Sequence, residues 1–132
     1  MWFLVVLGVS CHRSPTLCPE GMQPWKGRSG PGLSIWCKGA DGHAAAWIEL
    51  YNAKEPRMIC QYRQSVPDGP FRAFHPTSVP WIEGAYARGL KQGHWRQWDK
   101  TRSLVAEGEY REGRLIAGAP IGMAAKCESV EP

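Results

Sequence analysis

Ile82-Glu83-Gly84-Ala85-Tyr86-Ala87-Arg88-Gly89 is answered by Ala106-Glu107-Gly108-Glu109-Tyr110-Arg111-Glu112-Gly113, at an offset of 24 residues. The register continues upstream: Tyr86 maps to Tyr62, Gly93 to Gly69, Trp95 to Phe71 and then Trp47, Trp98 to Phe74 and then Leu50, and Gly84 to Cys60. Self-similarity at a period of about 20 to 50 residues marks a stack of supersecondary units, each burying its apolar side against the next. Between Trp36 and Leu115 the chain holds about three copies and a fraction.

Each copy reads as two strands. Val79 to Arg88 alternates with Ile82, Gly84 and Tyr86 on one face; Met58, Cys60 and Tyr62 do the same one copy earlier, and Leu104, Ala106, Gly108 and Tyr110 one copy later. Gly89-Leu90-Lys91-Gln92-Gly93 and Lys100-Thr101-Arg102-Ser103 are of hairpin-connection length. The expected fold is all-β, a repeat array of antiparallel hairpins forming a meander sheet. Trp95 and Trp98 lie three apart, as do Phe71 and Phe74, so either both faces carry aromatics or a bulge re-aims one ring. Recurrent strand glycines leave bare backbone that a cross-strand ring can cover, which predicts rings of the Trp95 and Trp98 register over Gly84 and Gly108.

The repeat unit Glu-Gly-x-Tyr-x-x-Gly-x-x-x-Gly-x-Trp-x-x-Trp is carried by Glu83, Gly84, Tyr86, Gly89, Gly93, Trp95 and Trp98, then by Glu107, Gly108, Tyr110 and Gly113. It resembles the MORN-repeat variant of bacterial YwqK-type antitoxin proteins, over roughly the last two thirds of the chain. The resemblance implies a β-hairpin repeat sheet and a binding role, while repeat class does not by itself name a partner.

Residues 2–10 form an apolar run of the length of a signal-peptide core, too short for a bilayer span of about 20 residues. Leu7-Gly8-Val9-Ser10-Cys11 resembles a bacterial lipobox, which implies diacylglyceryl attachment at Cys11. Cys18, Cys37, Cys60 and Cys127 then remain, an even set that allows three pairings in an oxidising compartment. Cys18 and Cys37 bracket a Gly- and Pro-rich loop, which favours that bridge and leaves Cys60 with Cys127. Reduced thiols in a cytosolic protein are the alternative if residues 1–10 are not a signal. The organisation expected is a signal peptide at 1–10, a lipidated Cys with a Gly/Pro-rich tether at 11–33, the MORN-variant repeat domain at 34–118, and a capping strand or loose tail at 119–132.

Seven Trp, fifteen Gly and eleven Pro favour short strands, turns and aromatic packing, and a net charge of +4 is too mild to point to nucleic acid. The four His are scattered, no Cys-x-x-Cys occurs, and the glycines follow the repeat, so no catalytic residue, metal site or cofactor is assigned. Glu83, Glu107, Glu109 and Glu112 are expected to face Arg88, Arg111 and Arg114 as surface charges.

The binding-surface candidates are Trp81, Trp95, Trp98, Arg88, Lys91 and Arg96, and the repeat-defining positions are Tyr62, Tyr86, Tyr110, Gly69, Gly84, Gly93 and Gly108. The leading expectation is a non-catalytic interaction or scaffolding module, lipid-anchored in the cell envelope, with an unidentified protein partner. Alternatives are an antitoxin that neutralises a toxin by binding, or anionic-lipid or glycan binding through the sheet; a secreted protein is the alternative to an anchored one. Exposure of Trp81, Trp95 and Trp98 discriminates a binding surface from core.

Overall fold

The computed structural model describes residues 17–25, 34–122 and 127 of the protein. Nine strands follow in chain order: β1 (Gln23–Trp25), β2 (Ser34–Lys38), β3 (Ala44–Asn52), β4 (Glu55–Arg63), β5 (Val66–His75), β6 (Val79–Ala87), β7 (Leu90–Trp98), β8 (Leu104–Arg111) and β9 (Arg114–Gly118). Each pairs antiparallel with its chain neighbours in one open sheet of order β1 to β9. No α-helix occurs among the described residues. The strand bounds keep the 24-residue spacing: β4 and β6 begin at Glu55 and Val79, and β5, β7 and β9 begin at Val66, Leu90 and Arg114. The signal segment 1–10 and the lipidation candidate Cys11 lie outside the described residues.

The hairpin turn is shorter than the expected span from Gly89 to Gly93. Arg88 and Gly89 alone make it, with φ of 52° and 84°, and Leu90 already pairs with Ala87. Two-residue loops with positive φ at both positions match the twist of the flanking strands. Gln64 with Ser65 and Glu112 with Gly113 repeat the geometry. The second and third turns also dock on the copy before them: Gly89 N donates to Pro67 O at 2.7 Å and Gly113 N to Lys91 O at 2.9 Å. Arg88 N donates to Asp68 Oδ2 at 3.1 Å and Glu112 N to Gln92 Oε1 at 2.9 Å, so the repeat recurs in its hydrogen bonds.

Two bulges recur with the same period. Gly69 (φ 104°) and Gly93 (φ 75°) supply the left-handed backbone where β5 and β7 bulge against the strand before. On the even strands Arg57, Trp81 and Val105 are skipped in the pairing, since Leu50 pairs with Pro56, Phe74 with Pro80 and Trp98 with Leu104. The skipped residue shifts the alternation by one. Trp81 therefore packs on the same core as Ile82, while Leu104 leaves the face of Ala106, Gly108 and Tyr110 that simple alternation assigns it.

One face, the aromatic face, holds the larger core. Along one rung Trp47, Cys60, Phe71 and Gly84 stand in register, and Trp95 pairs with Gly108. From β3 to β8 this rung places rings on odd strands and small residues on even ones, so each ring has room to lie down. A Cβ on Gly84 would stand 2.1 Å from the Trp95 ring, which is the expected covering of bare backbone. Gly108 departs from that expectation: Ala119 O and Leu115 Cδ1 cover it. Edge-on contacts continue the packing, with Tyr86 5.6 Å from Phe71 and 5.1 Å from Trp95, and Trp95 6.2 Å from Tyr110.

Described residues of both flanking segments pack on the sheet. Of the segment 11–33, Gln23–Trp25 is a strand, and Leu17 and Met22 pack with Cys18, Cys37, Ala46 and Ile48 on the face opposite the aromatic one. The Cys18–Cys37 disulfide pins this cover. At the other end the chain turns at Gly118 (φ 78°) and runs back over the aromatic face. Ala119 N donates to Glu107 O, Ile121 N to Tyr110 Oη and Gly122 N to Gln97 Oε1, and Cys127 is bonded to Cys60. Two disulfides fit an oxidising, extracytoplasmic environment.

Candidate interaction surface

The bulges decide which side chains meet solvent. Trp95 is 0 % exposed and belongs to the core, so it leaves the set of binding-surface candidates. Its Nε1–H has no acceptor among the described residues. Trp81 is half-buried on the aromatic face and lies 5.6 Å from the His75 ring. Trp98 is half-buried on the opposite face, one strand position beyond Gln97, whose side chain serves the tail. Both faces therefore carry aromatics, the first of the two arrangements the three-residue spacing allows.

The three candidate cations diverge. Lys91 Nζ lies 4.9 Å from the Tyr110 ring and 5.4 Å from the Trp95 ring on the aromatic face, and burial lowers its pKa. Arg96 is on the opposite face, where Nε lies 3.5 Å from Glu107 Oε1. Arg88 occupies a hairpin turn. The carboxylate partners also differ from expectation: Glu107 and Glu109 meet His94 and Arg96 on the adjacent strand, because strand register, not proximity in sequence, sets the pairs.

On the opposite face one rung reads Ile35, Ile48, Ile59, Arg72, Glu83, Arg96 and Glu107 across successive strands. From Arg72 onward the charges alternate, and the same slot recurs at 24 residues as Arg72 and Arg96 or as Glu83 and Glu107. Beside it, His94 is clamped between carboxylates: Nδ1 lies 2.6 Å from Glu109 Oε1, and Nε2 meets Glu107. The Glu109 hydrogen bond first, and then Glu107, raises the His94 pKa.

A second line on this face is apolar. Leu50 pairs with Pro56, Phe74 with Pro80 and Trp98 with Leu104, at the same slots of successive copies. Leu50 packs under the N-terminal cover, Phe74, Pro80 and Trp98 are half-buried, and Leu104 is 49 % exposed, so the line opens toward the C-terminal copies. Tyr51 Oη donates to Phe74 O at 2.8 Å and His75 Nε2 bonds Trp98 O at 2.9 Å, which fixes the strand ends that carry the line. The loop after Trp98 is held by Asp99, whose Oδ1 accepts from Thr101 N at 2.8 Å and Ser103 N at 3.1 Å; these bonds, the Thr101 hydroxyl foremost, lower its pKa.

Sequence reasoning found Trp98 but missed Pro80 and Leu104, since their alignment depends on the skipped residues. The charge rung was legible in the 24-residue spacing once Arg and Glu were followed as the aromatics were. Among the described residues no group of three or more His, Cys, Asp or Glu side chains is placed to hold a metal. Compared with known protein families, curated proteins and solved structures, the chain matches none.

Proposed function

We propose that the protein is a non-catalytic interaction or scaffolding module built on a MORN-variant hairpin repeat of the YwqK-type kind and displayed in the cell envelope on a lipid at Cys11. The observation that carries this reading is the face of the C-terminal copies that no other described segment covers, where Phe74, Pro80, Trp98 and Leu104 form an apolar line beside the Arg72, Glu83, Arg96 and Glu107 rung. Large half-exposed rings flanked by ordered charge suit a protein partner that supplies an apolar strip with opposite-sign charges beside it. Two disulfides weigh against a cytosolic antitoxin. Divergence of Arg88, Lys91 and Arg96 weighs against a single anionic-lipid site.

The test is photocrosslinking from Leu104 in the native envelope. A discrete adduct from Leu104, absent when the same probe replaces exposed Arg111, supports the reading; no adduct, or an equal pattern from both positions, defeats it. Intact mass of the extracted protein tests the anchor, which predicts acyl mass on a chain beginning at Cys11.

A further inference from the structure

We propose that the pocket lined by Pro80, Glu83, Trp98 and Arg102 binds one uncharged sugar ring of a glycan. Its volume is ≈ 240 Å³, below the roughly 300 Å³ where drug-sized sites begin and on the scale of a single ring. The pocket opens on the face opposite the aromatic one, between β6, β7 and the loop that follows Trp98, with Leu104 in register beside the indole. Three features select the ligand.

First, the indole and Pro80 present apolar surface between a carboxylate and a guanidinium, which suits the C–H face of a pyranose. Second, Glu83 supplies acceptors only and Arg102 donors only, and vicinal hydroxyls both donate and accept, so one ring uses both. A ligand of either net charge meets a like charge here, which favours a neutral one. Third, the strands around the pocket are interior to the sheet, with β6 and β7 paired on both edges. Their ladder groups are engaged, so an extended peptide finds no backbone to pair with, whereas a sugar needs only side chains.

The pocket is particular to this copy. One copy earlier the corresponding slots hold Pro56, Ile59, Phe74 and Ser78, which offer neither the carboxylate nor the guanidinium. There the loop is tied back to β4, with Thr77 N donating to Glu55; after Trp98 the loop is tied to itself through Asp99. The sugar shares Pro80, Glu83 and Trp98 with the surface proposed above for a protein partner, so the two ligands compete there, and the sugar titration reads its own ligand without the partner present.

The oxidised full chain, labelled with ¹⁵N, is titrated with the methyl glycosides of glucose, galactose and mannose, with N-acetylglucosamine, and with a proline-rich peptide. The readout is the Trp98 indole N–H resonance, assigned with Trp98→Phe. The expected result is a saturable shift at millimolar concentration with at least one sugar while the Trp95 resonance stays in place. Glu83→Gln and Arg102→Ala each weaken it about tenfold, as loss of a hydrogen bond to a charged group implies, with the remaining spectrum unchanged. No shift with any sugar overturns the proposal, as does a shift that survives both substitutions, or one given by the peptide alone.

Discussion

The two halves of the sheet use the same rung for opposite purposes. In β2 to β4 it holds Ile35, Ile48 and Ile59, roofed by Leu17, Met22 and the Cys18–Cys37 disulfide. In β5 to β8 it holds Arg72, Glu83, Arg96 and Glu107, without that roof. Fully burying an Ile is worth about 1.5 to 3 kcal/mol, and an exposed ion pair about 0 to 1. The N-terminal copies thus bury both faces of the sheet, and the later copies depend on one. Repeat fidelity follows the same division. Glycine returns at Gly84 and Gly108, where the sheet must stack with rings on one side only, while the corresponding positions upstream are Trp36 and Cys60.

The largest expected contrast comes from the two disulfides. Replacing Cys60 and Cys127 by Ser opens a 67-residue separation and should cost about 4 kcal/mol, whereas Cys18 and Cys37, separated by 19, should cost about 3. Urea unfolding gives the values, and hydrogen exchange should place the first loss across β4 to β8 and the second in β2 to β4. A shared pattern of exchange would erase the distinction between the halves.

Next, Ile48→Ala should destabilise by about 3 kcal/mol and Glu83→Ala, on the same rung, by less than about 1. Equal costs would mean that the roof does not bury the rung. Gly84→Ala should cost about 2 kcal/mol, since its Cβ would stand 2.1 Å from the Trp95 ring, which must move. Thermal denaturation with near-ultraviolet dichroism reads both the loss and the displaced indole; an unchanged spectrum would contradict the ring's position.

The smallest effect is the pH response of His94. Carboxylates on β8 raise its folded pKa above the ordinary 6.5, so its contribution to stability is complete below that value and fades as pH rises through the folded one. Desolvation of the ring and Arg96 on its own strand oppose the shift, and Gln92 there is uncharged. His94→Gln should remove this slope while lowering stability at pH 5 by less than about 1 kcal/mol. An NMR titration that finds the His94 pKa at or below 6.5 would dispose of the clamp.

How far each feature could be read depended on whether the repeat carried it. Tyr62, Tyr86 and Tyr110 announce the period, and the strand bounds obey it. The Trp95 ring over Gly84 follows from a bulky and a small residue in adjoining strands. Leu104 could not be placed, because the skipped Val105 inverts its face and nothing in the alternation marks a bulge. Leu17 and Met22 sit in a stretch rich in Gly and Pro, and their burial comes from a covalent link to Cys37 that holds the segment against the sheet.

By itself the sequence determined an all-β chain of duplicated hairpins, since a period in aromatic and glycine positions dictates which local units can stack. Only the tertiary structure decided which face is wet, which tryptophans are core and where the cysteine-pinned ends lie. Those outcomes depend on backbone bulges and on contacts between segments far apart in the chain, and a local pattern of residues encodes neither.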